Sequence, residues 1–275
     1  MDAGSDKSGL VQALRSACDD GELDHKGTKD VADKLDLPLR EVEGAALEAG
    51  IVPARYSRNM GTIGPAGQRQ LLRSRVAVIG LGGLGGHVVD GLARLGVGQI
   101  VGVDPDRFTE GNLNRQIFAT LDSLGNGKAA WTAACLGRIN PAVEFEAHAC
   151  RFEDLDPEAL EACSVVFDCL DTIPGHLALE ALCAELKVPL VHGAIAGWAG
   201  QVAVVAPGSG LLGCLYGSSR HGLEERLGNL HHTAAVAANL MLARALPCLL
   251  GEPVPGRNTV RFFDLESDEW QSAEL

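Results

Sequence analysis

None of the eight cysteines, at positions 18, 135, 150, 163, 169, 183, 214 and 248, stands in a C-x-x-C pair. That absence excludes a zinc ribbon or a thioredoxin-type redox motif. Scattered thiols inside apolar segments read instead as reduced, buried side chains. Basic charge is also scarce, since 23 Lys and Arg face 36 Asp and Glu for a net charge of -13. A surface made to grip nucleic acid or an anionic membrane needs the opposite sign, so neither is expected as a partner. No apolar run approaches the ~18 uninterrupted residues of a transmembrane helix. The opening residues MDAGSDKSGL lack the apolar stretch of a secretory signal, so the expected location is cytoplasmic. Aromatic residues make up only 4% and glycines number 34, a composition suited to a parallel sheet with closely packed helices.

The 275 residues suffice for one large α/β domain and a small extra module. The module is expected over residues 1–51 and the main domain over 52–275. LVQALRSACDD reads as one helix. Thr28 is a candidate N-cap for KDVADKLD, Pro38 breaks that pattern, and LREVEGAALEAG makes a further helix ending at Gly50. Short helices around a tight turn suggest a helix-turn-helix. Residues 1–50, however, hold twelve acidic against six basic side chains. A docking or dimer-supporting role fits that balance better than contact with DNA.

The segment from Arg75 to Gln116 organises the rest. An apolar run, Val76 to Ile79, ends in glycines at 80, 82, 83, 85 and 86. Val88, Val89, Leu92 and Leu95 follow at helical spacing, and a second apolar run from Gln99 to Val103 ends at Asp104. Strand, glycine turn, helix, strand and acid together form the dinucleotide-binding fingerprint, with Gly80, Gly82 and Gly85 fitting G-x-G-x-x-G. The helix start offers free N–H groups to phosphates, and Asp104 is placed to accept ribose hydroxyls. The expected fold is therefore a Rossmann-like, doubly wound, mostly parallel α/β sheet.

Beyond Asp104 come Asn112-Leu113-Asn114-Arg115-Gln116 and then Gly125-Asn126-Gly127-Lys128 opening a helix. Arg115 can grip phosphate oxygens with two parallel bonds, and Lys128 adds a point charge at a helix start. Two cations near one glycine turn suggest a triphosphate. A third strand is expected over Val143 to Cys150 and a fourth over Ser164 to Asp171. Asp168 would lie within that fourth run and Asp171 at its carboxyl end, where ligands bind in open α/β sheets. A carboxylate there can hold magnesium, or else cap the helix starting near Gly175. Strands at 189–195 and 200–208, a long helix over 229–250 and a closing antiparallel hairpin complete the chain. His192, His221, His231 and His232 have no evident cluster of cysteines or carboxylates, and read as structural or exposed. Arg55-Tyr56-Ser57-Arg58-Asn59, taken alone, reads as solvated surface.

R-Y-S-R-N, GLGGLGG, VDPD, NLNRQ, Gly127-Lys128, INP at 139–141, DCLD and GQV occur in order, and over residues 52 to 265 the chain resembles the ThiF/MoeB/HesA family. These are bacterial relatives of ubiquitin-activating enzymes. The resemblance implies an adenylyltransferase that uses ATP and Mg2+ to activate the C-terminal glycine carboxylate of a ubiquitin-fold sulfur carrier ending in Gly-Gly, in thiamin or molybdopterin biosynthesis or a similar pathway. Carried over by motif, Gly80, Gly82, Gly83 and Gly85 would form the nucleotide turn, and Asp104 would take the ribose. Asn112, Arg115, Gln116 and Lys128 would bind phosphates, and Asp171 would hold magnesium. Arg58 would reach the partner subunit's site in a homodimer.

The chain also departs from that pattern. Many relatives bind zinc through two C-x-x-C pairs and carry a cysteine in the loop before the long helix. This chain has only Cys214 in LLGCLYG, no cysteine in GSSRHGLEERLGN and none after Cys248. No zinc is expected, and Cys214 stands where relatives place a zinc ligand rather than a nucleophile. Thr172 replaces the asparagine of DCxDN, and His231-His232 replaces small apolar residues. These departures imply adenylation alone, with sulfur transfer done elsewhere. The competing readings are a non-catalytic nucleotide-binding scaffold and an NAD-linked oxidoreductase. The latter would leave Arg115, Lys128 and Asp171 idle and shows no Tyr-x-x-x-Lys.

Overall fold

A computed structural model describes residues 3–253 and 259–275. Helices α1 (Ala3–Ala17), α2 (His25–Leu35) and α3 (Leu39–Glu48) come first, with short strands β1 (Glu22–Leu23) and β2 (Val52–Pro53). Then follow α4 (Gly64–Arg73), β3 (Arg75–Ile79), α5 (Gly83–Leu95), β4 (Gln99–Val103), α6 (Lys128–Ile139) and β5 (Glu144–His148). The second half contains α7 (Glu158–Glu161), β6 (Val165–Asp168), α8 (Ile173–Leu186), β7 (Leu190–Ala196) and β8 (Ala199–Val205). It continues through α9 (Leu211–Tyr216), α10 (Glu224–Leu227), α11 (His231–Leu249), β9 (Thr259–Asp264) and β10 (Glu269–Glu274).

Eight strands form one sheet in the order β10-β9-β8-β7-β6-β3-β4-β5. The five from β7 to β5 run parallel, and β8, β9 and β10 add antiparallel. Because side chains alternate along a strand, Val76 and Val78 of β3 face one core, while Ala77 and Ile79 face the other. The first core is covered by α5, α6 and α11, the second by α8 and α9. This is the expected doubly wound sheet with its antiparallel extension. The chain reverses its winding at β3, which lies between β4 and β6, and ligands bind beyond the strand ends at such a switch point.

The amino-terminal helices pack around Leu14, Leu23, Val31, Val42, Ala46 and Ile51. Thr28 does not cap α2. Asp24 does, accepting Gly27 N at 2.6 Å in an extended conformation that Thr28, one turn inside, cannot adopt. The parallel pair β1–β2 ties Leu23 to Pro53. The segment read as solvated surface is a seam: Tyr56 is fully buried and donates its hydroxyl hydrogen to Glu43 at 3.0 Å. Arg55 lies 3.2 Å from Glu43 and also donates to Asn140. Asn140 in turn donates to Tyr56 Oη at 2.9 Å and to Ala93 O at 2.8 Å. A buried polar network, rather than apolar contact alone, thus joins α3 to the end of α6.

Candidate functional site

The glycine turn follows β3 because only glycine satisfies its geometry at two places. Gly80 has φ +91, and a Cβ there would meet Cys169 O at 2.6 Å; one on Gly85 would lie 1.7 Å from Gly80 O. The backbone therefore closes on itself and starts α5 with Gly82 at the N-cap and no side chain capping it. The first N–H groups of α5 remain available to an anion. Asp104, at the end of β4, holds the turn from the other side, its carboxylate accepting Leu81 N at 2.7 Å and Asp106 N at 2.8 Å.

Around this turn lies a cleft of about 880 Å³ lined by Gly80, Gly82, Gly83, Asp104, Asn112, Arg115, Gln116, Lys128 and Asp171. Nine of the eleven residues expected at the site thus converge. Gly85 lies behind the turn, where its role is close packing. Arg58 is exposed and does not line this cleft. A short 3-10 turn, Glu110–Asn112, fixes the loop, Asn112 Oδ1 accepting Thr109 N at 3.0 Å. Arg115 is anchored through Nη1 to Gly111 O at 3.0 Å and Asn114 Oδ1 at 2.9 Å. Gln116 is buried beside Gly82, and its Oε1 has no hydrogen-bond partner. An unsatisfied buried acceptor in a cleft wall is costly unless something donates to it, which is what a bound ligand supplies. Lys128 is buried, 3.0 Å from Asp106 and 3.7 Å from Asp104.

The far side of the cleft differs from expectation. Strand β6 stops at Asp168 instead of reaching Asp171, because Asp168 turns its carboxylate into a buried cluster and Leu170 N donates back to Oδ1 at 3.2 Å. Asp171 follows as an exposed residue on the cleft wall and forms no salt bridge among the described residues. It is not the cap of α8; Thr172 is, its hydroxyl accepting Gly175 N at 3.3 Å. His192 is likewise not isolated. Its Nδ1 lies 2.8 Å from Asp168 Oδ2, and His176 Nδ1 lies 2.8 Å from the same oxygen. Tyr216 donates to His192 Nε2 at 2.9 Å and accepts from Gln201 at 2.7 Å. Burial opposes the protonated form of His176, but Asp168 overrides it and holds the imidazole above its ordinary value. Burial likewise lowers His192, and there the carboxylate does not recover the loss. Asp168 itself titrates below the usual carboxylate range, burial opposing this and the two imidazoles prevailing.

Two thiols, Cys150 and Cys169, also line the cleft. Burial, and then Asp168, push the Cys169 thiol well above its ordinary value, so it holds no thiolate at neutral pH. Cys214 is exposed on α9.

The ThiF family pattern matches residues 56–275, the whole of the sheet and the cleft. The chain belongs to the ThiF family. Among ThiF-family relatives it is 32% identical over 230 residues to the sulfur carrier protein ThiS adenylyltransferase of Escherichia coli, covering 80% of this chain and 90% of that protein. It is 39% identical over 165 residues to the SAMP-activating enzyme E1 of Haloferax volcanii, covering 59% and 61%. The chain thus spans less than two thirds of the Haloferax protein. Among solved structures, E. coli MccB with succinimide superposes with a TM-score of 0.66 at 18% identity, over 90% of this chain and 82% of that one. At that identity the likeness is one of fold. No described helix is long and apolar enough to cross a membrane.

Proposed function

We propose that this ThiF-family chain is an ATP-dependent adenylyltransferase that activates the C-terminal glycine carboxylate of a ubiquitin-fold sulfur carrier. The observation that carries it is the convergence of Lys128, Arg115 and Asp171 on the glycine turn, in one cleft large enough for a nucleotide and a peptide tail. A dinucleotide would need the turn and Asp104 but neither cation.

In this reading the carrier carboxylate attacks the α-phosphorus of ATP. A carboxylate O–P bond forms as the bridge to the β-phosphate breaks, and pyrophosphate leaves. The free N–H groups of α5 and the guanidinium of Arg115 receive phosphate oxygens. Gln116 lies beside the turn, and Asp104, whose two oxygens can each accept again, takes the ribose. Lys128, held between two carboxylates, is positioned to move onto the phosphates when they arrive. Such transfer requires positioning and charge neutralisation more than covalent help. Mg2+ bound at Asp171 would neutralise charge on the leaving phosphates. The exposed carboxylate beside the cleft is a hard oxygen donor of the kind Mg2+ prefers.

Arg58, exposed and outside its own cleft, would serve the neighbouring site of a homodimer, and the module over residues 1–51 would dock a partner. The loop from Ser218 to Leu230 holds no cysteine and Cys169 is protonated, so in this reading the chain adenylates the carrier and sulfur transfer is done elsewhere.

ATP–pyrophosphate exchange with Mg2+ and carriers ending in Gly-Gly tests this reading. Exchange that requires the carrier and disappears in Lys128→Ala is expected. Tight ATP binding without exchange for any carrier would favour a scaffold, and binding of NAD in place of ATP would overturn the assignment.

A further inference from the structure

We propose that Asp168, His176 and His192 form a binding site for a divalent transition-metal ion of the zinc class, separate from the nucleotide's Mg2+. Two imidazole nitrogens and one carboxylate oxygen, all within 4.8 Å of one another, come from three side chains that are nearly or fully buried. Imidazole with carboxylate is a donor set that suits zinc, cobalt or nickel and that Mg2+ avoids.

The fold places these groups firmly. Asp168 and His192 are direct partners in the parallel ladder of β6 and β7, so their side chains emerge side by side on one face. His176 lies one turn into α8, whose start is fixed by the Thr172 cap. Both Nδ1 atoms point at Asp168 Oδ2 from 2.8 Å, while Leu170 N holds the other carboxylate oxygen. The outer contacts are those that orient metal ligands. Tyr216 Oη meets His192 Nε2, Gln201 braces Tyr216, and the Tyr216 ring stacks on His176 at 5.6 Å with 7° between planes. His176, Gln201 and Tyr216 also line the cleft, so a fourth position beside the ion opens toward it.

Without an ion, the two Nδ1 atoms lie at hydrogen-bond distance from Asp168 Oδ2, and a proton bridges each contact. Uptake of M2+ displaces these protons. Each imidazole then presents a bare Nδ1 to the ion and keeps one proton on Nε2, and any proton beyond that leaves to solvent. The metal takes both freed nitrogen lone pairs and Asp168 Oδ2. Each 2.8 Å contact widens to about 3.3 Å, the spacing of ligands around a tetrahedral ion with bonds near 2.0 Å. For the two nitrogen–oxygen contacts that is a change of about half an ångström, and the two nitrogens already lie within 4.8 Å of one another. The ion would lock the end of β6 to β7 and α8, directly beneath the residues that carry Asp171 into the cleft. It is not the four-thiolate zinc of relatives, and it replaces the expectation that the chain binds no zinc.

The test is elemental analysis of protein from zinc-supplemented cells, purified without chelator. It is followed by metal removal and Co2+ titration, watched by visible d–d absorption. Stoichiometric metal and an intense tetrahedral Co2+ spectrum in the wild-type chain are expected. Both should be lost in His176→Gln and His192→Gln but kept in Asp171→Asn. Tyr216→Phe should weaken metal affinity by about 10- to 100-fold. Since the wild-type titration needs no variant to fold, a wild-type chain with no stoichiometric metal and no Co2+ spectrum overturns the site. Retention of metal in both histidine variants, or its loss in Asp171→Asn, overturns it equally. None of these readouts depends on adenylation.

Discussion

Adding one methyl group at Gly85, and separately at Gly83, should have opposite consequences. A Cβ at Gly85 would stand 1.7 Å from Gly80 O, a backbone atom that cannot rotate away. Relief requires moving the β3–α5 turn against β6, so the cost should reach or exceed the upper end of ordinary overpacking, about 3 kcal/mol. The nearest atoms to a Cβ at Gly83 would be Arg115 and Ala234 carbons at 3.5–3.6 Å, an ordinary contact. Alanine is also the better helix former, by up to ~1 kcal/mol in a helix interior and less at a first turn. Gly83→Ala should therefore keep or slightly raise stability. Its methyl faces the cleft where phosphate oxygens must approach the N–H groups of α5, so ATP affinity should fall about tenfold, or about 1.4 kcal/mol. Urea unfolding followed by circular dichroism reads the first quantity, and calorimetric ATP titration reads the second. If Gly85→Ala unfolds at the wild-type urea concentration, or Gly83→Ala binds ATP as wild type does, the assignment of packing to one glycine and phosphate approach to the other is wrong.

Asp171→Ala should abolish pyrophosphate exchange while part of the ATP affinity survives; full exchange would remove the magnesium assignment. Asn140→Ala should cost about 2 kcal/mol in urea unfolding, because it removes two buried hydrogen bonds, to Tyr56 Oη and Ala93 O, worth about 1 kcal/mol each, while Tyr56 keeps Glu43 and Ala93 O keeps Gly96 N. Burial raises Glu43 above its ordinary 4.5, against the opposing pull of Arg55 and Tyr56. With the folded value above the unfolded one, its contribution to stability is complete below about pH 4.5 and is lost as pH rises through the raised value. Unfolding midpoints measured across that range should show the decline in wild type and not in Glu43→Gln.

What the sequence made legible was local. Glycine spacing, the apolar runs on either side and Asp104 all lie within thirty residues, and each has one physical reading. Arg115 and Lys128 were expected near the turn because the loop between them can fold over it and because NLNRQ and Gly127-Lys128 resemble family motifs, and both do line the cleft. The Asp168 cluster was hidden because its members are eight and sixteen residues apart along the chain, and only the β6–β7 register and the first turn of α8 unite them. An aspartate at the end of an apolar run was the one visible sign, since such a charge must find partners when buried. Asp24 displaced Thr28 as a cap because both stand a turn apart in one helical pattern, and sequence alone does not say which residue leaves the helix. The Glu43–Tyr56–Asn140 seam joins three distant segments by hydrogen bonds, which leave no periodic trace.

The sheet ends in two strands with one unpaired side each, β5 and β10, and each carries carboxylates. Glu144 and Glu146 lie on β5, where they pair with Arg40 and Arg75. Glu269 and Glu274 stand at the two ends of β10, with Asp264 opposite Glu269. A second copy adding its own strand along either margin would press like charges together in a chain that already carries -13. That repulsion guards against runaway sheet extension and leaves the helical faces as the surfaces for ordered assembly. It is also a conditional guard: acid that protonates these carboxylates, or salt that screens them, removes it. Aggregation with β-rich character should therefore rise with added salt, and again in acid strong enough to protonate Glu146, which Arg75 holds below its ordinary value.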